Sequence, residues 1–200
     1  MKSRNVTFIG QPVDDLDILR QVPSNLRALL EKINGFILCG GGLHVRGACK
    51  APLWHSLREA WRGKMAFHRH YAVVRESDVP FAQDCVGDQF LLRDGEVVRL
   101  YAEDAQVEPL NLGLEEFLEV AQNDPIEFLS MHPLVQFMND GGILEPGQLL
   151  LAYPPFCTVE ASSGVHLTAV PAQELFEFHA KLSAQMTSLP PGGKIRIKVV

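Results

Sequence analysis

Apolar residues recur at two different periods along this chain, and the changes of period divide it. Between Ser24 and Ile33, Leu26, Leu29, Leu30 and Ile33 fall at i, i+3, i+4 and i+7, one face of a 3.6-residue repeat. The spacing predicts a helix, with Ser24 capping its start and Asn34-Gly35 stopping it. Phe36-Ile-Leu-Cys39 is a short apolar run ahead of Gly40-Gly-Gly42. Pro52 to Trp61 reads as another helix: proline suits a first turn, Trp54, Leu57 and Trp61 share a face, and Gly63 ends it. From Tyr71 to Tyr101 the pattern shortens to β-type runs, Tyr71-Ala-Val-Val74, Val79-Pro-Phe81 and a hairpin. A strand is expected to end near Phe81, the chain to turn from Asp84 to Gly87, and a new strand to begin at Asp88. Asp94-Gly95 is the hairpin signal, because a type I′ turn needs positive φ at both central residues, and Glu96 to Tyr101 is the returning strand.

Helical spacing resumes from Leu114 to Ala121, with Leu114, Phe117, Leu118 and Ala121 on one face, and Asn123-Asp-Pro125 breaks it before a short helical piece over 126–129. Beyond Gly141-Gly142, residues 148–153 and 165–170 are strand-like. Pro171 to Met186 is a helix striped by Leu175, Phe178, His179, Leu182 and Met186. The tail Lys194-Ile-Arg-Ile-Lys-Val-Val200 alternates apolar and basic residues, as a charged edge strand or a strand completing a sheet does, and raises the expectation of a homodimer formed by edge pairing or by packing of the block after 142. Consecutive strands with short links favour an antiparallel meander. Apolar content continues across residue 142, so residues 1–142 are expected as one domain and 143–200 as an extension docked on it.

Composition narrows the function classes. Two hundred residues, 46% hydrophobic and 21% charged, suit a folded domain with a sizeable core. The net charge of −6 and the lack of a basic block argue against nucleic acid as partner, since that binding rests on phosphate neutralisation. Cys39, Cys49, Cys85 and Cys157 form no C-x-x-C pair and are expected as reduced thiols. The N-terminal segment lacks the apolar core of a signal peptide, and no apolar run approaches the ~20 residues that cross a bilayer, so a cytoplasmic protein without membrane insertion is expected.

Candidate chemistry is sparse. Gly40-Gly-Gly42 lacks the G-x-x-x-x-G-K-[ST] pattern and reads as a flexible turn. His68 and His70 would point the same way on a strand and, with Asp84 or Asp88, would make a two-histidine, one-carboxylate metal enzyme; a solvated surface explains the same basic run. Asp84, Asp88, Asp94 and Glu96 invite a paired-carboxylate reading, but the hairpin accounts for Asp94 and turn capping for Asp84 and Asp88. His179 on its apolar stripe reads as a buried histidine, and Trp54 and Trp61 as core. No nucleophile, base and orienter assemble, so no catalytic residue, resident metal or cofactor is expected.

The order of these features resembles the SUKH superfamily, which includes the fungal Smi/Knr cell-wall regulators and many bacterial immunity proteins. Val22-Pro23-Ser-Asn-Leu26 through Asn34-Gly35-Phe36 is similar to its opening helix and N-G turn. Phe81-Ala-Gln-Asp84, Gly87-Asp88-Gln-Phe90 and Asp94-Gly95 resemble its A-x-D-x-x-G-D run into an aromatic strand, and Leu114-Glu-Glu-Phe117-Leu118 its next helix. The likeness covers residues 20–130 and says nothing of the block after 142. It implies an α+β fold with a central antiparallel sheet flanked by helices. It also implies a binding role without catalysis: an immunity protein that sequesters a cognate toxin, often a nuclease, or else a regulatory scaffold. By that resemblance Trp54, Asp84, Asp88, Gln89 and Glu96 are the expected partner contacts.

Overall fold

The fold is α+β. A computed structural model describes residues 6–188; the alternating tail at 194–200 lies outside the described residues. Strands β1 (Val6–Ile9), β2 (Phe36–Leu38), β3 (Leu43–Val45), β4 (Val79–Asp84), β5 (Gln89–Arg93), β6 (Glu96–Leu100) and β7 (Val107–Pro109) pair in chain order as one antiparallel sheet. Helices α1 (Leu16–Gln21) and α2 (Ser24–Lys32) lie between β1 and β2, and α3 (Leu57–Trp61) between β3 and β4. Helices α4 (Leu114–Asn123), α5 (Pro125–Phe128) and α6 (His132–Asn139) follow β7. A separate antiparallel hairpin, β8 (Gln148–Tyr153) and β9 (His166–Pro171), leads into α7 (Ala172–Ser188).

Strand register sorts the side chains onto two faces, because successive residues point to opposite sides. Val45 pairs with Phe36 and Ala82, Ala82 with Phe90, and Phe90 with Arg99. That face therefore carries Phe36, Val45, Ala82 and Phe90. It packs against Ile18 of α1, Leu26 and Leu30 of α2, Leu114 and Phe117 of α4, and Leu134 of α6. The opposite face carries His44, paired with Gln83, and Gln83, paired with Gln89. Leu91, Val98 and Leu100 share that side, against Ala60 of α3, Phe67, Tyr71 and Phe176 of α7. Helices thus cover both faces of the sheet.

Several local expectations needed correction. Ser24 is the first residue of α2 and makes no capping bond from the Pro23 position, whereas Asp15 caps α1 by accepting from the Ile18 N–H. The 52–61 segment splits into a 3₁₀ turn, Leu53–His55, and α3, because Ser56 is extended and its side chain caps the second piece. Val79–Phe81 extends to Asp84 as β4. Tyr71-Ala-Val-Val74 is a turn rather than a strand; Tyr71 is buried and its hydroxyl donates to the Ala102 carbonyl at 3.1 Å. Strands β1, β3 and β7 and helices α1 and α6 carried too few periodic residues to be read. Both signalled turns are present: Asp94 and Gly95 have φ of 53° and 95°, and Gly35 has φ of 77°. At Gly35 a Cβ would fall 2.6 Å from the Val45 carbonyl oxygen, so the stop after α2 tolerates only glycine.

Phe117 sits at the centre of the first core, fully buried, with the rings of Phe90, Phe128 and Phe81 at 4.7, 5.4 and 5.5 Å. Truncation there removes an aromatic from a site that three rings cannot collapse into. Phe117→Ala is expected to cost about 3–5 kcal/mol in urea-induced unfolding, with an unchanged m-value.

Candidate functional site

The turn between β4 and β5 is built on carboxylates. Asp84 accepts from the Val86 and Asp88 N–H groups through one oxygen, both at 3.0 Å, which is the turn-capping role its position suggested. Its other oxygen takes Arg99 Nη2 at 2.7 Å, and the same nitrogen reaches Asp88 at 3.0 Å. Asp88 also accepts from the Ala102 N–H at 2.9 Å, and Arg99 Nη1 donates to the Ser130 hydroxyl at 3.0 Å. Arg99 Nε is buried without a partner among the described residues. Two carboxylates therefore face one guanidinium in a dry setting. Burial, then the charge of Asp88, pushes the Asp84 carboxyl up to about 8, against the pull of Arg99. Burial raises Asp88 in the same direction.

The opposite face of the sheet holds a second polar system. Arg46, just past β3, donates to the Pro80 carbonyl at 2.9 Å, to the Gln83 amide oxygen at 2.5 Å and to the Gln89 amide oxygen at 2.7 Å. Gln83 contacts His44 Nδ1 at 3.2 Å, His44 Nε2 contacts His55 Nδ1 at 2.9 Å, and His55 Nε2 contacts the Asn34 carbonyl at 3.0 Å. Burial holds both histidines below their ordinary value.

Where the Asp84–Arg99–Asp88 cluster meets the surface there is a cavity of about 200 Å³, walled by Asp88, Tyr101, Glu103, Asp104, Phe156 and Cys157. Glu103 accepts from the Cys157 N–H at 2.8 Å, and burial raises its carboxyl. The cavity thus offers three carboxylates beside two aromatic rings. A larger open groove of about 660 Å³ runs between the β8–β9 hairpin and α7, where Leu151, Tyr153, Val170 and Phe178 meet Glu174 and Glu177.

The five expected partner contacts scatter. Asp84 and Gln89 are buried, their side chains bonded to Arg99 and Arg46. Asp88 is also buried but touches the acid-lined cavity. Trp54 is half-buried against Phe8 and His55, on the other side of the sheet from Asp84. Glu96 is exposed on the hairpin. His68 lies in a 3₁₀ turn, not a strand, and His70 Nε2 contacts the Lys64 carbonyl. Among the described residues no group of three or more His, Cys, Asp or Glu is placed to hold a metal ion. None of the four cysteines is in a disulfide; burial raises every thiol, Cys49 to about 11 and Cys157 to about 12, which opposes thiolate formation at neutral pH. Among the described residues no helix is long and apolar enough to cross a membrane. Comparison with protein-family models, curated proteins and solved structures returned no match.

Arg46, Gln83, Arg99, Tyr101, Glu103, Asp104 and Phe156 are site residues that the sequence reading did not single out. For Arg46 the alternation Leu43-His44-Val45-Arg46 was the one signal, and alternation alone assigns the polar side to solvent.

Replacing Arg99 by Met strands two buried carboxylates. The expected cost is about 3–5 kcal/mol by denaturant unfolding. The pH dependence has a definite sign. On Asp84, Asp88 and Glu103 the folded state holds protons more tightly than the unfolded chain, so their contribution to stability falls as pH rises above about 4, and for Asp84 that fall continues to about 8. On His44, His55 and His179 it holds them less tightly, so their contribution rises with pH up to about 6.5 and is constant above. Between about pH 6.5 and 8 the urea midpoint is therefore expected to fall, and Asp84→Asn to flatten that fall.

Proposed function

We propose that the protein is a non-catalytic binding module, an immunity protein that neutralises a cognate toxin of basic surface, such as a nuclease, by sequestering it in the cytoplasm. The acid-lined cavity is the observation that carries the reading. A lysine or arginine entering it meets the carboxylates of Asp88, Glu103 and Asp104 and the ring faces of Tyr101 and Phe156. The SUKH resemblance over residues 20–130 supports the same reading, as does the net charge of −6, which favours encounter with a basic partner. Steric cover of a toxin requires no turnover. It is also compatible with Asp84 and Gln89 being held inside, since they shape the turn that carries Asp88. Contact then falls to Asp88, Glu103, Asp104 and the exposed Glu96.

A regulatory scaffold that grips a basic segment of a housekeeping partner is the second reading, favoured by the same cavity. In either case a homodimer is expected of the isolated protein, and a monomeric mass by light scattering contradicts it.

Mixing the purified protein with a basic toxin encoded beside its gene is expected to give a stoichiometric complex. Its affinity should fall roughly tenfold or more as salt is raised from about 50 to about 500 mM, and similarly with Asp104→Lys, while the toxin's activity is suppressed in proportion to complex formed. A neighbourhood without a toxin gene, together with capture of housekeeping proteins from native cells, selects the scaffold. A complex indifferent to salt and to Asp104→Lys removes the acid-lined cavity from either reading.

A further inference from the structure

Among the described residues two arginines are fully buried, Arg46 and Arg99, and Arg46 lacks the carboxylate partners that Arg99 has. Arg58 is paired with Asp15, Arg93 with Asp78 at 2.6 Å, and Arg99 with Asp84 and Asp88. Arg46, with a fractional exposure of 4%, has no carboxylate within ion-pair distance among the described residues. Its acceptors are a backbone carbonyl and two neutral amides, and the Phe67 ring lies 5.6 Å from its guanidinium carbon. Three of its five N–H groups are used in those bonds. Burial drags its basicity down to about 9, with no acidic neighbour to restore it. The group is still a cation at neutral pH, in a place where an unpaired charge is costly.

A cavity of about 30 Å³ adjoins it, walled by Arg46, Gln83, Gln89, Tyr71, His179 and the apolar side chains of α3 and α7. That is room for about two waters, or for one small ion. His179 is also buried, at 3% exposure, and the Glu103 carboxylate lies 3.9 Å from its Nε2. Burial holds the imidazole neutral, its value near 4, so it presents one N–H donor without adding charge. A buried cation without a carboxylate counterion, a neutral imidazole and an unfilled space border one another.

We propose that this cavity is a binding site for a small monovalent anion of the halide class, held by Arg46 and His179. The void admits an ion the size of chloride and is too small for a phosphate or a carboxylate side chain. The anion supplies the negative charge that Arg58, Arg93 and Arg99 take from aspartates. Its place is between the sheet and α7, so occupancy tightens the packing of α7 and the β8–β9 hairpin onto the sheet. The site is separate from the acid-lined cavity and stands or falls independently of the binding role.

The test uses the full chain. Thermal unfolding is followed in sodium gluconate, chloride and bromide at one fixed ionic strength, replacing gluconate stepwise. A saturable rise in Tm of about 2–4 °C with chloride and with bromide, but not with gluconate alone, is expected. Ala60→Leu, which fills the cavity and leaves Arg46 in place, should abolish the halide response, and Arg46→Met should do the same if it folds. Crystals grown in bromide should show an anomalous peak beside Arg46. A Tm that is equal in all three salts, a halide response that survives Ala60→Leu, or a cavity holding only waters in bromide-grown crystals overturns the proposal.

Discussion

The contact on which the architecture turns is Arg99 with its two aspartates. Arg99 sits on β6, Asp84 ends β4, Asp88 opens the way to β5, and Ser130 belongs to the link between α5 and α6. One guanidinium therefore fixes the β4–β5 turn, the neighbouring strand and the helical layer to each other. Such a cluster adds little net stability over an apolar equivalent, because removing its charges from water costs about as much as their attraction returns. What it supplies is uniqueness: a shifted register at β4–β5 would leave at least one of these charges buried and alone.

The sheet has a polar system on each face, and they differ in kind. Asp84, Asp88 and Arg99 on one face include opposite charges that partly cancel. On the other face, His44, Arg46, Gln83 and Gln89 join neutral amides and imidazoles to a single cation. Cross-strand pairing places His44, Gln83 and Gln89 in one row, so the second system is a direct consequence of register. Of the two, only the first opens onto a cavity large enough for a side chain from another molecule.

How much of this was legible in the sequence follows from what each signal measures. Period 3.6 located α2, α4 and α7, and the Asp-Gly and Asn-Gly dipeptides located two turns, because each is a local preference that the fold happens to respect. Three-residue strands such as β3 and β7 are shorter than any period can show, and they exist because neighbouring strands accept them. Site residues were missed or misplaced for a different reason. Alternation in β3 and β4 assigns His44, Arg46 and Gln83 to a wet face, and Gln89 was taken for a surface contact on the family resemblance. The deciding fact is the layer formed by Phe67, Tyr71 and α7 over that face, which is long-range information. Asp88 is the exception: its side chain is engaged internally and still reaches the acid-lined cavity.

The order of the seven strands has a consequence for how the protein is made. Every strand of the main sheet pairs with its sequence neighbour, so the sheet can assemble progressively as the chain leaves the ribosome. The hairpin and α7 that close over its polar face come from residues 148–188 and are synthesised after all seven strands. Until then that surface must stand in water. The row of His44, Arg46, Gln83 and Gln89 gives that surface a polar strip beside the apolar Leu91, Val98 and Leu100, and the same residues become an internal network once the last layer arrives.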